Sequence, residues 1–317
     1  VITTDLELVI NSLKRGEIVS IPTETVYGLA GNALKEESID QIFNLKKRPA
    51  FNPLIVHIPD VNFLDRVAEN IPDPAKLLAN HFWPGPLTLI LKKKASIPNR
   101  VTAGKDTVAV RVPNHPLTLE LLKKLPFPLA APSANPFGSI SPTLAIHVYK
   151  YFGDKIPFIL DGGSCKSGLE STIIGFENET PVLYRHGALA LEKIKEVIGP
   201  VKELIKNDQN PQAPGMLSKH YAPQTETIRS ENILETIANF PNKKIGVLSF
   251  QKIELSEEIT HQEILSEKGH LEEAARNLYA ALHRLDQLQL ELIVVPYFPN
   301  HGLGKTINDR LQRAIQK

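Results

Sequence analysis

Apolar positions along this chain follow two periods, and the changes of period mark out its elements. Leu6, Val9, Ile10 and Leu13 recur at helical spacing, with Thr4 and Glu7 at capping-box distance and Gly16 just past the last of them. This predicts a helix capped at Thr4 and closed at Gly16. EIVSIP (17–22) is a short apolar run stopped by Pro22 and reads as a strand. Ile39, Ile42 and Phe43 predict a helix over 36–47, ended by Arg48-Pro49. NPLIVHIP (52–59) and LTLIL (87–91) read as buried strands, with a helix over about 74–82 between them that stops at Trp83-Pro84-Gly85-Pro86. TVAVRVP (107–113) alternates strictly: Val108, Val110 and Val112 share one face, and Thr107, Ala109 and Arg111 the other. A helix over 116–125 and a strand over 128–132 follow. Ser141-Pro142 predicts an N-cap with proline at the first helical position, opening a helix to about 152. FILDGG (158–163) reads as a strand entering a glycine turn. STIIGF and PVLYRHG, joined by ENET, read as a hairpin, and 188–198 as a helix ended by Gly199-Pro200.

The pattern then breaks. Residues 206–226, KNDQNPQAPGMLSKHYAPQTE, are polar, rich in proline and without period, as a linker would be. Beyond it KIGVLSF is a strand. A stripe of Leu271, Ala274, Ala275, Leu278, Ala281, Leu282 and Leu285 is a helix, LELIVVPYF (290–298) a strand, and 306–316 a closing helix. The expected organisation is an α/β domain over 1–205, a linker over 206–226, and a small α/β unit of βαβ type over 227–317.

Composition narrows the function. The 317 residues are 42% hydrophobic and 22% charged, ordinary for a globular protein with a substantial core. A formal net charge of +1 argues against a general nucleic-acid binder, which would need a far more basic surface. One cysteine excludes an internal disulfide framework and suits a reducing, cytoplasmic setting. No apolar run reaches the ~18 residues of a membrane helix. The opening VITTDLELVI has no basic segment and no signal core, and its first residue is not Met, as expected of a trimmed chain.

Several familiar motifs fail on inspection. GSCKSGLE (163–170) has glycines at P-loop spacing but Leu-Glu where Lys-Ser or Lys-Thr belongs, and HGLGKT (301–306) has Pro299 in place of the first glycine. The histidines and Cys165 lack zinc spacing. Cys165 fits a small turn residue better than a nucleophile. Ser133 and Ser171 lack the G-x-S-x-G elbow of an acyl-enzyme serine. What remains is a set of cations at element ends, Lys46, Arg48, Arg111 and Arg185, among hydroxyl-bearing turns at Thr23, Thr25, Thr107, Ser133, Ser141 and Ser171. Any one of these cations alone reads best as a surface charge or structural ion pair. Arg111 is different, because it interrupts an apolar strand and must be paired or functional there. Guanidinium forks ringed by hydroxyls suit phosphate and carboxylate, so the residues point to a small-molecule site for a polyphosphate and a carboxylate.

PTETVYGL (22–29), KKRPAFNPLIVHI (46–58), WPGPLTLIL (83–91), DTVAVRVP (106–113), APSAN (131–135) with SPT (141–143), and STII (171–174) with VLYRHG (182–187) stand in one order. Together they resemble the YrdC-like family of threonylcarbamoyl-AMP synthases over about residues 5–200. APGMLSKHYAP (213–223) and GLGKTINDRLQRA (302–314) resemble that family's long, two-domain form, with Ala213 where the family usually has Ser. The resemblance implies a catalytic α/β domain on a twisted mixed sheet, a linker folding over the active site, and a small Rossmann-like C-terminal domain. It also implies a reaction. L-Threonine, bicarbonate and ATP, with Mg²⁺ accompanying the nucleotide, give threonylcarbamoyl-AMP and pyrophosphate. A separate transferase complex then moves the threonylcarbamoyl group to the tRNA adenosine beside the anticodon. By position, Thr25, His57, Arg111, Ala131 (through its backbone) and Ser171 correspond to threonine contacts. Lys46, Arg48, Asn52, Thr107, Ser133, Ser141 and Arg185 correspond to ATP contacts, with Lys46, Arg48 and Arg185 as the catalytic cations and His220 and Tyr221 as lid residues. No side chain is assigned to the metal and no segment to direct tRNA contact. Two other readings stay open at this level. One is a double-stranded-RNA or ribosome-associated binding module, and the other an ATP-dependent carbamoyl transferase with another acceptor.

Overall fold

The structure, a computed structural model, describes residues 1–204, 221–255 and 261–315. His220 and most of the predicted linker lie outside them. Two sheets organise these residues. The larger has 11 strands in the order Ile2–Thr3, Ile159–Leu160, Val19–Ile21, Gly28–Asn32, Leu129–Ala130, Ile55–His57, Thr107–Arg111, Leu87–Lys92, Thr172–Glu177, Thr180–Arg185, Lys202–Glu203, with parallel and antiparallel pairs mixed. The smaller has four parallel strands in the order Thr227–Ser230, Leu292–Pro296, Ile245–Ser249, His261–Ile264.

The alternation read in TVAVRVP sets the two faces of the large sheet. Val108, Val110 and Val112 join Leu54, Val56, Leu89 and Leu91 in the main core, packed with Ile39, Ile42 and Phe43 of helix Glu36–Lys46 and with Ala75, Leu78 and Ala79 of helix Asp73–Phe82. The opposite face carries a thinner apolar group of Ile55, Ile90, Ala109 and Ile173, and Arg111 belongs to that side. The thin face is where the strands bring polar side chains together.

Some local expectations change. The first helix, Leu6–Arg15, is capped by Asp5, whose carboxylate accepts from the backbone N–H groups of Glu7 and Leu8, and not by Thr4. It ends at Gly16, whose φ of 88° is left-handed, as predicted. Ser141 caps no helix. The helix runs Ala145–Phe152 and starts after Leu144, while the Ser141 hydroxyl donates to Glu170. Tyr27 is a core residue, wholly buried and donating to the Gly163 carbonyl at 2.7 Å. Cys165 is buried, and burial pushes its thiol pKa up, which suits a packing role.

A single hydrophobic cluster crosses between the two sheet units. Val26, Ile140, Leu169 and Tyr221 pack with Ala275, Leu278, Tyr279 and Leu282 of helix Leu271–Asp286 and with Ile307 and Leu311 of helix Leu303–Ala314. Gly168 shows how closely they meet. A Cβ there would lie 2.3 Å from the Arg276 carbonyl oxygen.

Candidate active site

The strand Val19–Ile21 ends at Pro22, and the chain turns on Thr23. The Thr23 hydroxyl donates to the Val26 carbonyl at 2.6 Å and accepts from the N–H groups of Thr25 and Val26. Its one proton is thereby used, so in the 2.8 Å contact between the two hydroxyls Thr25 is the donor. Thr25 Oγ1 then accepts from Arg111 Nη1 at 2.8 Å. Arg111 is locked from two further sides: Nε donates to the Gly85 carbonyl at 3.1 Å, and Nη2 lies 2.6 Å from the Glu24 carboxylate. Both partners of this ion pair are buried, so the acid in the hydroxyl turn neutralises the arginine that interrupts the strand.

His57 lies in register with Arg111 on the adjacent parallel strand, so both side chains leave the same face. Burial, reinforced by the Arg111 charge, lowers its pKa to about 3, and the ring is neutral. Its Nδ1 is buried without a hydrogen-bond partner.

Arg48 follows the end of helix Glu36–Lys46, where Lys47 takes a left-handed conformation. Its Nε donates to the Asn52 carbonyl at 3.1 Å and Nη2 to the Pro53 carbonyl at 2.8 Å. Burial, and after it the neighbouring Arg185 charge, lower its pKa to about 9, so it stays cationic at neutral pH. Arg185 ends strand Thr180–Arg185, where a register shift falls between Leu183 and Arg185. Leu183 packs into the main core, and the irregularity turns Arg185 to the other face, the usual effect of a bulge. Arg185 Nε and Nη2 donate to the Ser171 carbonyl at 3.1 and 2.8 Å. The Ser171 hydroxyl also contacts Thr88 Oγ1 at 2.7 Å.

These groups line one cavity enclosing about 580 Å³, part of it open to solvent. Arg48, Arg111, Arg185, Thr25, His57, Ala131, Ser133, Ser171 and Tyr221 all face it, with Thr23, Gly28 and Glu170 and an apolar floor of Val26, Leu54 and Ile55. Glu170 is its one carboxylate among the described residues. Burial alone would raise that pKa, but the charges of Arg310 and Arg185 and the Ser141 hydrogen bond outweigh burial and hold it at about 2.

Comparison with known proteins decides the family. Residues 11–187 match the family described as telomere recombination, and residues 189–315 the threonylcarbamoyl-AMP synthase C-terminal domain. The threonylcarbamoyl-AMP synthase of Pyrococcus abyssi is 42% identical over 316 residues, covering 95% of this chain and 91% of that protein. That of Bacillus subtilis is 39% identical over 312 residues, covering 95% and 90%. This chain belongs to the threonylcarbamoyl-AMP synthase family. The crystal structure of P. abyssi Sua5 complexed with L-threonine superposes with a TM-score of 0.93 at 41% identity, over 98% of this chain and 94% of that one. The long two-domain form of the threonylcarbamoyl-AMP synthases is thus matched along nearly the whole chain.

Within this threonylcarbamoyl-AMP synthase fold, four residues expected at the site do not line the cavity. Lys46 is buried and spends its ammonium on the carbonyls of Ser133 and Asn135, pinning the loop that presents Ser133. Burial and the Arg48 charge push its pKa well down. Asn52 offers its backbone carbonyl to Arg48, while its own amide is fully buried with neither N nor O hydrogen-bonded. Thr107 stands at the far end of strand Thr107–Arg111, four residues or about 13 Å from Arg111. Ser141 reaches the cavity only through Glu170. His220 lies outside the described residues. Sequence reasoning missed Glu170 altogether, together with the C-terminal residues behind it, Tyr279 and Arg310.

Proposed function

We propose that this protein makes L-threonylcarbamoyl-AMP from L-threonine, bicarbonate and ATP, releasing pyrophosphate. The product would serve a downstream transferase complex that modifies the tRNA adenosine beside the anticodon. The observation that carries this reading is the meeting of Arg48, Arg111 and Arg185 in one cavity with Thr25, Ser133 and Ser171. Threonine fits the half around Thr25, His57 and Arg111, where the cation is already paired and a zwitterion adds no net charge. The nucleotide fits the half around Arg48, Arg185, Ser133 and Tyr221.

The reaction asks for charge stabilisation more than for proton transfer. The threonine ammonium first gives one proton to solvent; the free amine then attacks bicarbonate carbon, and loss of water, formed from the bicarbonate hydroxyl and a second amine proton, gives a carbamate. A carbamate oxygen then attacks the α-phosphorus, and the bond to the pyrophosphate oxygen breaks. An anion attacks an anion and an anion leaves, so fixed guanidiniums in a dry site lower the barrier by offsetting charge at the phosphoryl oxygens. Neutral His57 beside Arg111 suits an amino acid held through hydrogen bonds. Mg²⁺ fits as a companion of the triphosphate. Among the described residues no group of His, Cys, Asp and Glu could hold a metal, and Glu170 is occupied by Ser141, Tyr279 and Arg310. Bound to the phosphates, the ion would neutralise part of the charge on the leaving pyrophosphate.

The RNA-module alternative is disfavoured by burial, because the side chains of Arg48, Arg111 and Arg185 lie where a duplex backbone cannot reach. Among the described residues no helix is long and apolar enough to cross a membrane. A cytoplasmic location agrees with the proposed substrates. The test is one incubation of the chain with ATP, Mg²⁺, L-threonine and bicarbonate, analysed by mass spectrometry. The threonylcarbamoyl adenylate should form only when all are present. Pyrophosphate release without threonine, or with serine as effectively as with threonine, would overturn the assignment.

A further inference from the structure

Behind the nucleotide half of the cavity lies a buried polar cluster shared by the catalytic and C-terminal units. Its centre is Arg310, 1% exposed, on helix Leu303–Ala314. Nε donates to Glu170 Oε2 at 2.8 Å, Nη2 to the His186 carbonyl at 2.8 Å, and Nη1 to Asp309 Oδ2 at 2.7 Å. The guanidinium carbon also sits 4.9 Å from the centre of the Tyr221 ring. Tyr279 adds a hydroxyl to Glu170 Oε2 at 2.9 Å and stacks on Tyr221 with ring centres 5.8 Å apart. From the catalytic unit Ser141 donates to Glu170 Oε1 at 2.6 Å.

Three of the groups that Arg310 holds belong to the cavity or adjoin it. Glu170 and Tyr221 line it, and His186 follows Arg185 directly. The threonine half is built differently. Arg111 is held by Glu24, Thr25 and Gly85, all from the catalytic unit, and among the described residues none of these is hydrogen-bonded to the C-terminal unit. The polar contacts that fix the two halves of the site therefore come from different parts of the chain.

We propose that Arg310 is a positioning residue for the nucleotide half: by holding Glu170, the His186 carbonyl and the Tyr221 ring together, it fixes Arg185 and Tyr221 where the triphosphate is bound. The C-terminal unit thereby acts as a structural part of the ATP site although Arg310 itself does not line the cavity. The fork of a guanidinium is essential to this, since an ammonium cannot serve Glu170, a carbonyl and a ring face at once. The inference rests on the reading that this half binds ATP.

The test compares the unaltered full chain with Arg310→Lys, Arg310→Met and Tyr279→Phe. Each is measured for fold by circular dichroism and for L-threonine and ATP affinity by calorimetry. Arg310→Lys should raise the ATP Kd about tenfold or more. It should also lower turnover about 100-fold, as expected when a charged group moves by about an ångström. Its threonine Kd should stay within about threefold of the unaltered value. Tyr279→Phe removes one hydroxyl and keeps the packing, so it should show the same asymmetry on a smaller scale even if Arg310→Met fails to fold. Equal weakening of both ligands, or none, in folded Arg310→Lys and Tyr279→Phe overturns the proposal. If the unaltered chain binds ATP but forms no threonylcarbamoyl adenylate, the proposed activity falls, and the two affinities still decide the positioning role. If it does not bind ATP at all, both fall.

Discussion

Glu24→Gln tests the electrostatic design of the threonine half. The substitution keeps the shape of the side chain and removes its charge. In the structure the Glu24 carboxylate lies 2.6 Å from Arg111 Nη2, with the two side chains 6% and 4% exposed. Removing one partner of a buried pair costs about 3–5 kcal/mol, because the other charge stays buried without compensation. Arg111 keeps the Gly85 carbonyl and the Thr25 hydroxyl as acceptors, which places the loss near the lower end, about 3 kcal/mol. For a unit of some 200 residues, at about 2–4 °C per kcal/mol, the melting temperature should fall by about 6–12 °C. Glu24 does not line the cavity, so saturating L-threonine should still raise the melting temperature of the variant. At a hundredfold excess over Kd that gain is about 2.7 kcal/mol, most of the deficit. Thermal denaturation with and without threonine reads both quantities. A fall below about 2 °C would show that the pair does not secure Arg111 and would refute the reasoning. A normal fall with no response to threonine would place Glu24 on the ligand itself.

Arg48→Ala should leave the fold intact and lower ATP-dependent pyrophosphate release about 100- to 1000-fold, the range for loss of one donor aimed at developing charge; rates near those of the unaltered chain would remove Arg48 from the site. A third prediction concerns pH. His147 and His283 stack across the two units with ring centres 3.9 Å apart, and burial, aided for His147 by the stacked His283 ring, which resists a second charge, and by the cations Lys150 and Arg284, lowers their pKa values to about 3 and about 4. Both are neutral when folded and take up protons on unfolding below their ordinary value of 6.5. Their contribution is therefore complete above about pH 6.5 and is lost as pH falls towards 4, by up to about 1.4 kcal/mol per pH unit for each histidine. His283→Gln should flatten that slope in urea denaturation measured from pH 7 to 4, and an unchanged slope would refute the assignment.

How much of this could be read from sequence depended on whether a residue's role was local. Arg111 could be found because it interrupts an otherwise apolar strand, and a charge there needs a partner. The helix end at Gly16 and the hairpin through Thr172–Glu177 and Thr180–Arg185 were equally legible, since turn chemistry fixes them. Strand Gly28–Asn32 was hidden because GLAGN has neither β-branched residues nor alternation, and only its neighbours' edges make it a strand. Ser141-Pro142 had the composition of an N-cap, but its hydroxyl serves a carboxylate 29 residues away. Lys46 and Thr107 carried suitable chemistry at positions the fold turns elsewhere. Arg310 had a signal that went unused. It stands on the apolar stripe of its helix, beside Ile307, Leu311 and Ala314, where a guanidinium must be buried and partnered.

The charges of the cavity follow the same division as its supports. Around Thr25 and His57 the one cation is matched by Glu24, and the histidine is neutral, so that half has no excess charge to offer and suits a ligand that is itself balanced. Around Arg48 the hydrogen-bond acceptors are backbone carbonyls, and among the described residues no carboxylate pairs with it. Arg48 and Arg185 are close enough for the second to lower the pKa of the first. Two guanidiniums that repel each other in a buried site are unfavourable for the empty protein and favourable for a polyanion, because the ligand relieves the repulsion as it binds. Among the described residues the acid lining the cavity near them, Glu170, is drawn back by Arg310 and Tyr279, which limits how far it cancels the field. A zwitterion on the neutral side and a triphosphate on the positive side is the pairing this charge distribution favours, with Ser171 on the cavity wall beside Arg185.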